Sequence, residues 1–154
     1  MVLAYRAMQN VRDEFSTYNQ QDHYFEEEGI FGCCPREASI NDLALALQNF
    51  REMEDNVCLL IDANEDVHNE ESDSGRVLAE ASLKDTSIRK FGLCGPAIRC
   101  PGSGPIDGLF LHENVPVDTT GYLSYIDELS DHRPLFVDIP SAHIFGEANA
   151  TFRK

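Results

Sequence analysis

The clearest periodicity lies between Pro35 and Met53, where Ile40, Leu43, Leu47, Phe50 and Met53 recur at spacings of three and four. That period lines up one apolar stripe on an amphipathic helix, with Pro35 near its start and Asp55-Asn56 after its end. The pattern then becomes an uninterrupted apolar run, Val57-Cys58-Leu59-Leu60-Ile61, which predicts a central strand buried on both faces. Two further buried strands are predicted at Ile106 to Leu111 (IDGLFL) and at Leu135 to Ile139 (LFVDI), the latter stopped by Pro140. Val2 to Tyr5 reads as a strand that opens abruptly at Met1, which implies missing chain before it. The polar stretch from Ala7 to Glu28, with scattered aromatics, suits a surface helix and loop. Glu70 to Gly75 (EESDSG) reads as a charged loop, Arg76 to Leu83 as one short helix, and Pro101 to Pro105 as a turn-rich break. Residues Ser141 to Lys154 show no period and read as a docked or frayed end.

Composition narrows the function classes. The 154 residues, 42% hydrophobic and 25% charged, fit one soluble globular domain or a piece of a larger one. Twelve Lys and Arg against 27 Asp and Glu give a net charge of −15, a field that repels phosphate backbones and anionic lipid. Nucleic-acid work therefore needs metal ions or a local basic patch, and Lys84, Arg89, Lys90 and Arg99 are the one candidate for such a patch. No apolar run approaches the roughly 20 residues of a membrane helix, and the N-terminus MVLAYRAMQN lacks a cleavable apolar core. A soluble, unexported protein of the cytoplasm or nucleus, with no membrane partner, is expected. The five cysteines, Cys33, Cys34, Cys58, Cys94 and Cys100, are odd in number and lack CxxC spacing, so reduced thiols are expected. Cys94 and Cys100 bracket a Gly and Pro loop that could bridge or hold a metal, but zinc would need two further ligands.

Three apolar strands each carry acidic or imidazole groups at or near an end: Asp62 with Asn64, then Asp107, then Asp131 with His132. Burying carboxylates beside such strands is costly unless they are paired, hydrogen-bonded or metal-bound. If strand geometry persists, Asp62 and Asn64 point to the same face, aiming an anion and an amide at one spot. A carboxylate there could orient or deprotonate a water while the amide donates to a phosphate oxygen. Asp131 could ligate a hard cation through oxygen. His132 could act on a phosphate or its attacking water, with Asp107 fixing its tautomer. Taken singly, Asp-x-Asn is more often a turn and an Asp-His pair more often a hydrogen-bonded loop. The acidic runs Glu26-Glu27-Glu28 and Glu65 to Asp73 read as solvated surface.

In order and spacing, LLIDANEDV (Leu59 to Val67), PIDGLFL (Pro105 to Leu111) and SDHRPLFVDI (Ser130 to Ile139) resemble the C-terminal half of the endonuclease/exonuclease/phosphatase superfamily, the deoxyribonuclease I-like fold. The similarity covers about residues 1–140, leaving 141–154 as a tail, and GYLSY (Gly121 to Tyr125) is similar to the nuclease domains that accompany reverse transcriptases in retroelements. The resemblance implies Asp62 at the attacking water, Asn64 as a phosphate ligand, Asp131 as a metal-proximal acid, His132 as the catalytic imidazole and Asp107 as its orienting group. It loosely matches Tyr5 to a substrate-binding residue near the scissile phosphate. Two departures keep the acids and change their neighbours: Ile61 and Ala63 replace the Gly and Phe of a Gly-Asp-Phe-Asn motif, and Gly108 stands where an aromatic is usual. A third is length, because the family domain begins with strands carrying an Asn and the principal metal-binding Glu, and this chain reads as starting after them.

The implied fold is α/β, the second half only of a four-layer α/β/β/α sandwich. The implied activity is Mg2+- or Mn2+-dependent phosphodiester hydrolysis of endonuclease type on nucleic acid, in particular DNA, weak or absent unless the missing half completes it. One alternative is a phosphatase acting on a phospholipid or inositol phosphate. Another is a non-catalytic remnant that binds a partner or self-associates through an uncovered sheet face.

Overall fold

The computed structural model describes residues 1–10, 12–92, 95, 105–124 and 132–145. Its frame is a mixed sheet built around β2 (Cys58–Asp62), which pairs parallel with β1 (Val2–Tyr5) and antiparallel with β4 (Asp107–His112). The short β3 (Leu83–Asp85) adds to the far side of β4, giving the order β1-β2-β4-β3. Because β1 and β2 are parallel, the chain between them must cross over the sheet, and it does so through α1 (Thr17–Glu27) and α2 (Pro35–Glu52). After β2 come α3 (Asp73–Glu80) and, beyond β3, α4 (Thr86–Phe91). β5 (Thr119–Tyr122) and β6 (Leu135–Asp138) form a separate antiparallel pair, followed by α5 (Ser141–Phe145).

The apolar stripe of α2 behaves as its spacing predicts, with Ile40, Leu43 and Leu47 buried against Leu59, Ile61, Val77, Leu78 and Phe110. Met53, the last member of the stripe, instead caps the helix and is 68% exposed. β2 departs from the expectation of equal burial on both faces. Leu59 and Ile61 are buried under the helices, whereas Cys58, Leu60 and Asp62 are only half-buried. That second face is covered over β4, where Leu135, Val137 and Ile139 of the β6 region pack on Leu109, Leu111 and Val115. The cover does not extend to β1, so Leu3 is 70% and Tyr5 52% exposed.

Several local expectations need correction. The helix expected at Arg76 to Leu83 runs from Asp73 to Glu80, because Ser72 caps it by accepting a hydrogen bond from the Gly75 amide at 3.1 Å. Leu83 belongs to β3, and a second helix follows at once because Asp85 caps it, accepting from the amides of Ser87 at 2.6 Å and Ile88 at 3.1 Å. Asp85→Ala would leave those amides without a partner, and we expect urea unfolding to show a loss of about 1 kcal/mol.

The basic segment is used internally. Arg89 donates to the carbonyls of His112, Glu113 and Val115, and Lys90 donates to that of Asp118, so two of the four cations fasten the turn after β4. Lys84 is exposed, and Arg99 lies outside the described residues, as do Cys94, Cys100 and Asp131. Cys33, Cys34 and Cys58 are free thiols. Among the described residues no helix is long and apolar enough to cross a membrane.

Candidate active site

The sheet register brings the first two acids together. β2 ends at Asp62, β4 begins at Asp107, and the two are direct partners across the antiparallel ladder. Residues opposed in this way project to the same face with Cβ atoms about 5 Å apart. Asp107 shares that face with Leu109 and Leu111, whose burial fixes which way the strand presents its carboxylate. His132 completes the group, its Nδ1 lying 2.6 Å from Asp107 Oδ2. One ligating atom from each of Asp62, Asp107 and His132 lies within 4.8 Å of the others. A shallow recess of about 240 Å³ opens beside them, walled by Leu3, Leu60 and Leu135.

The electrostatics follow from this crowding. Asp107 is 7% exposed, and burial raises its pKa; the nearby Asp62 carboxylate adds to the rise and the His132 imidazole opposes it, leaving the group pushed up to about 6. The Asp107–His132 contact can fix the imidazole in one tautomer, with its Nδ1–H toward the carboxylate. Two close carboxylates with an imidazole also form a donor set suited to a hard divalent cation, whose charge would relieve the repulsion between the acids.

Gly108 is where the sequence departs from the resemblance, and the structure gives a local reason. A Cβ at Gly108 would run into the Phe110 ring, so that ring occupies space a side chain here would need. The aromatic group reaches this part of the sheet from two residues further along the strand.

Asn64 is not placed as expected. Strand geometry ends at Asp62, and Asn64 has a left-handed backbone with φ of 49°, a conformation Asn tolerates better than most residues. Its backbone amide donates to Asp62 Oδ1 at 3.2 Å, and its side-chain amide donates to the Arg6 carbonyl at 2.8 Å. Asp-x-Asn therefore forms a hydrogen-bonded turn that holds Asp62, and Asn64 does not lie on a continued strand face beside it. Tyr5 pairs with Asp62 across the β1–β2 ladder on the same face, half-exposed beside the site. Asp131, expected as the metal-proximal acid, lies outside the described residues.

A second charged cluster, absent from the sequence-based expectations, lies under this turn. Arg6 is 4% exposed, pairs with Glu65 and donates to Asp73 Oδ2 at 2.8 Å. Arg36 joins it, 3.2 Å from Glu65 and donating to the Ala7 carbonyl at 2.6 Å. Burial tends to raise the Glu65 pKa, but hydrogen bonds from Ser74 and the Arg6 guanidinium outweigh it, holding the carboxyl below its usual value. Glu65 is thus a paired group, whereas the sequence reading placed it on solvated surface. The only local signal was an arginine directly after an apolar strand in a strongly acidic chain.

No family model matches the chain, and no curated protein matches it. Among solved structures it is similar to a mannosyl-6-phosphatase from Bacteroides thetaiotaomicron, at 22% identity and a TM-score of 0.47. The match covers 71% of this chain and 47% of that one, so the chain spans less than half the length of that protein.

Proposed function

We propose that the chain carries the hydrolytic part of a divalent-metal-dependent phosphodiesterase of endonuclease type, belonging to the endonuclease/exonuclease/phosphatase superfamily. In this reading the mixed sheet and its helices are the second half of a four-layer α/β/β/α sandwich. The observation that carries the proposal is the convergence of Asp62, Asp107 and His132, with Asp107 hydrogen-bonded to the imidazole at 2.6 Å. Register brings Asp62 and Asp107 together, and the addition of His132 from a third segment supports a shared chemical role.

The roles follow from the geometry. In this reading Asp107 accepts from Nδ1 and holds the imidazole in one tautomer, and His132 exchanges a proton with the phosphoryl group through Nε2. Asp62, fixed by the Asn64 amide, orients the attacking water and receives its proton. Tyr5, the partner of Asp62 across the β1–β2 ladder, would contact the bound ester in this reading. Asp62 and Asp107 would hold Mg2+ or Mn2+ through carboxylate oxygens, with Asp131 proposed as a further ligand, while the His132 imidazole beside them is kept for proton exchange. When bound, the cation supplies positive charge to the phosphate oxygens as negative charge develops on them. It also answers the electrostatic difficulty of bringing DNA to a chain of net charge −15.

The test is nicking of supercoiled plasmid by the chain with Mg2+, beside an EDTA control. Weak metal-dependent nicking is expected from this half alone; a chain that turns over neither plasmid nor an activated aryl phosphodiester at saturating metal, and that binds no Mn2+ by calorimetry, would remove the assignment.

A second reading is favoured by one observation, the exposed Leu3 and Tyr5 on edge strand β1. In that reading the chain is a non-catalytic module that self-associates through this face. Sedimentation showing a concentration-dependent dimer, together with no metal binding by calorimetry, would favour it.

A further inference from the structure

The buried charge of Arg6 needs an explanation that a surface ion pair does not supply. A guanidinium withdrawn from water is tolerated only when its charge and its donors are matched. Here Glu65 and Asp73 match the charge, and Arg6 Nε donates to the Arg36 carbonyl at 3.3 Å. These partners come from the loop after β2, the first turn of α3 and the first turn of α2, so one side chain ties three segments to the end of β1.

The backbone of the same residue is committed to the site. The Arg6 amide donates to the Asp62 carbonyl at 2.8 Å, and the Arg6 carbonyl accepts from the Asn64 side chain at 2.8 Å. Asn64 in turn donates its own amide to Asp62 Oδ1 at 3.2 Å. A chain of contacts therefore runs from a buried guanidinium, through its backbone, to the carboxylate that faces Asp107 and His132.

We infer that Arg6 is a positioning residue of the site: its side chain anchors the end of β1 so that its backbone holds the Asp62–Asn64 turn in the metal-holding orientation. The inference rests on the proposed metal-dependent reading of the site. Arg36 supports it from behind, sharing Glu65 and bracing the Ala7 carbonyl, the residue that follows Arg6. Lysine could not reproduce the arrangement fully, because a single ammonium cannot fork between Glu65 and Asp73 as a planar guanidinium does.

The experiment is Mn2+ binding to the full chain by isothermal titration calorimetry, for the parent, Arg6→Gln, Arg6→Lys and Arg36→Gln. Near-UV circular dichroism establishes that each is folded. We expect Arg6→Gln to weaken Mn2+ affinity by about tenfold, as loss of a group supporting a metal ligand typically does. Arg6→Lys should recover part of that loss, and Arg36→Gln should weaken binding by a smaller factor than Arg6→Gln, because it reaches the turn only through Glu65 and the Ala7 carbonyl. The sign is diagnostic. Removing a cation from a chain of net charge −15 strengthens its general attraction for Mn2+, so weaker binding cannot come from net charge. Folded Arg6→Gln that melts earlier but binds Mn2+ as tightly as the parent, or more tightly, overturns the inference. Should Arg6→Gln not fold, Arg36→Gln decides, with unchanged or tighter binding counting against it. A parent that binds no Mn2+ removes the metal-dependent reading itself, and the inference with it.

Discussion

His132→Ala is expected to lower phosphodiester hydrolysis by about 10²- to 10⁴-fold, the usual contribution of a positioned acid-base group. The imidazole is only partly buried, so the fold does not depend on its bulk. Its removal does leave Asp107 without the partner that favours the ionised carboxylate, and a stability cost of about 1 kcal/mol at pH 7 is expected. His132→Gln separates the two effects, because a side-chain amide can still donate to Asp107 but cannot exchange a proton. It should keep most of the stability and little of the rate. Turnover on an activated aryl diester, measured beside a urea titration, checks both. Equal loss of rate and stability in the two variants would fit a scaffold role, and an undiminished rate in His132→Gln would remove proton exchange from His132.

The parts of this site legible in the sequence are those that sit where an apolar run ends. Asp62 directly follows the apolar run of β2 and Asp107 is the second residue of the run predicted at Ile106 to Leu111, so strand prediction alone puts each acid at or near a strand end, and the structure makes them the last residue of β2 and the first of β4. Their opposition across the ladder depends on antiparallel register, which a single strand does not encode. Asn64 was misplaced for a related reason: spacing of two implies a shared face only while the backbone stays extended, and here it turns left-handed after Asp62. The composition Asp-Ala-Asn already allowed that turn, since short polar side chains stabilise it by bonding their own backbone.

Other features had little local signal. β3 reads LKD and β5 reads TTGY, too short and too polar to show a period, and each forms because a partner strand offers its edge. The Arg6–Asp73 contact joins residues 67 apart in sequence, beyond any pattern window. The basic segment illustrates the opposite error. Its charges were visible, but whether they meet solvent or backbone carbonyls depended on a turn after β4 that no local pattern placed beside them.

Asp107→Asn should move stability and function in opposite directions. Asp107 has its pKa raised to about 6 from the ordinary 3.8, with burial the main cause and the Asp62 carboxylate adding to it. A group whose folded pKa is raised binds its proton more tightly in the native state. Its stabilising contribution is therefore fully present below 3.8 and is lost as pH rises through about 6. At pH 7 the native state carries the group ionised beside a second carboxylate, at a cost of about 1 kcal/mol once screening by nearby solvent is allowed for. Asparagine keeps the shape, can still accept from His132 and can donate to Asp62, so unfolding in urea should show a gain of about 1 kcal/mol at pH 7 that disappears near pH 4. Hydrolysis should fall by at least about 100-fold, because the imidazole loses its ionised partner and the cation a carboxylate. Saturating Mg2+ should narrow the stability difference at pH 7, since a bound cation relieves the same repulsion that the substitution removes. A variant less stable than the parent at pH 7 would show that the Asp107 carboxylate is held by stabilising partners rather than strained by Asp62, and the argument for a cation between them would lose its electrostatic basis.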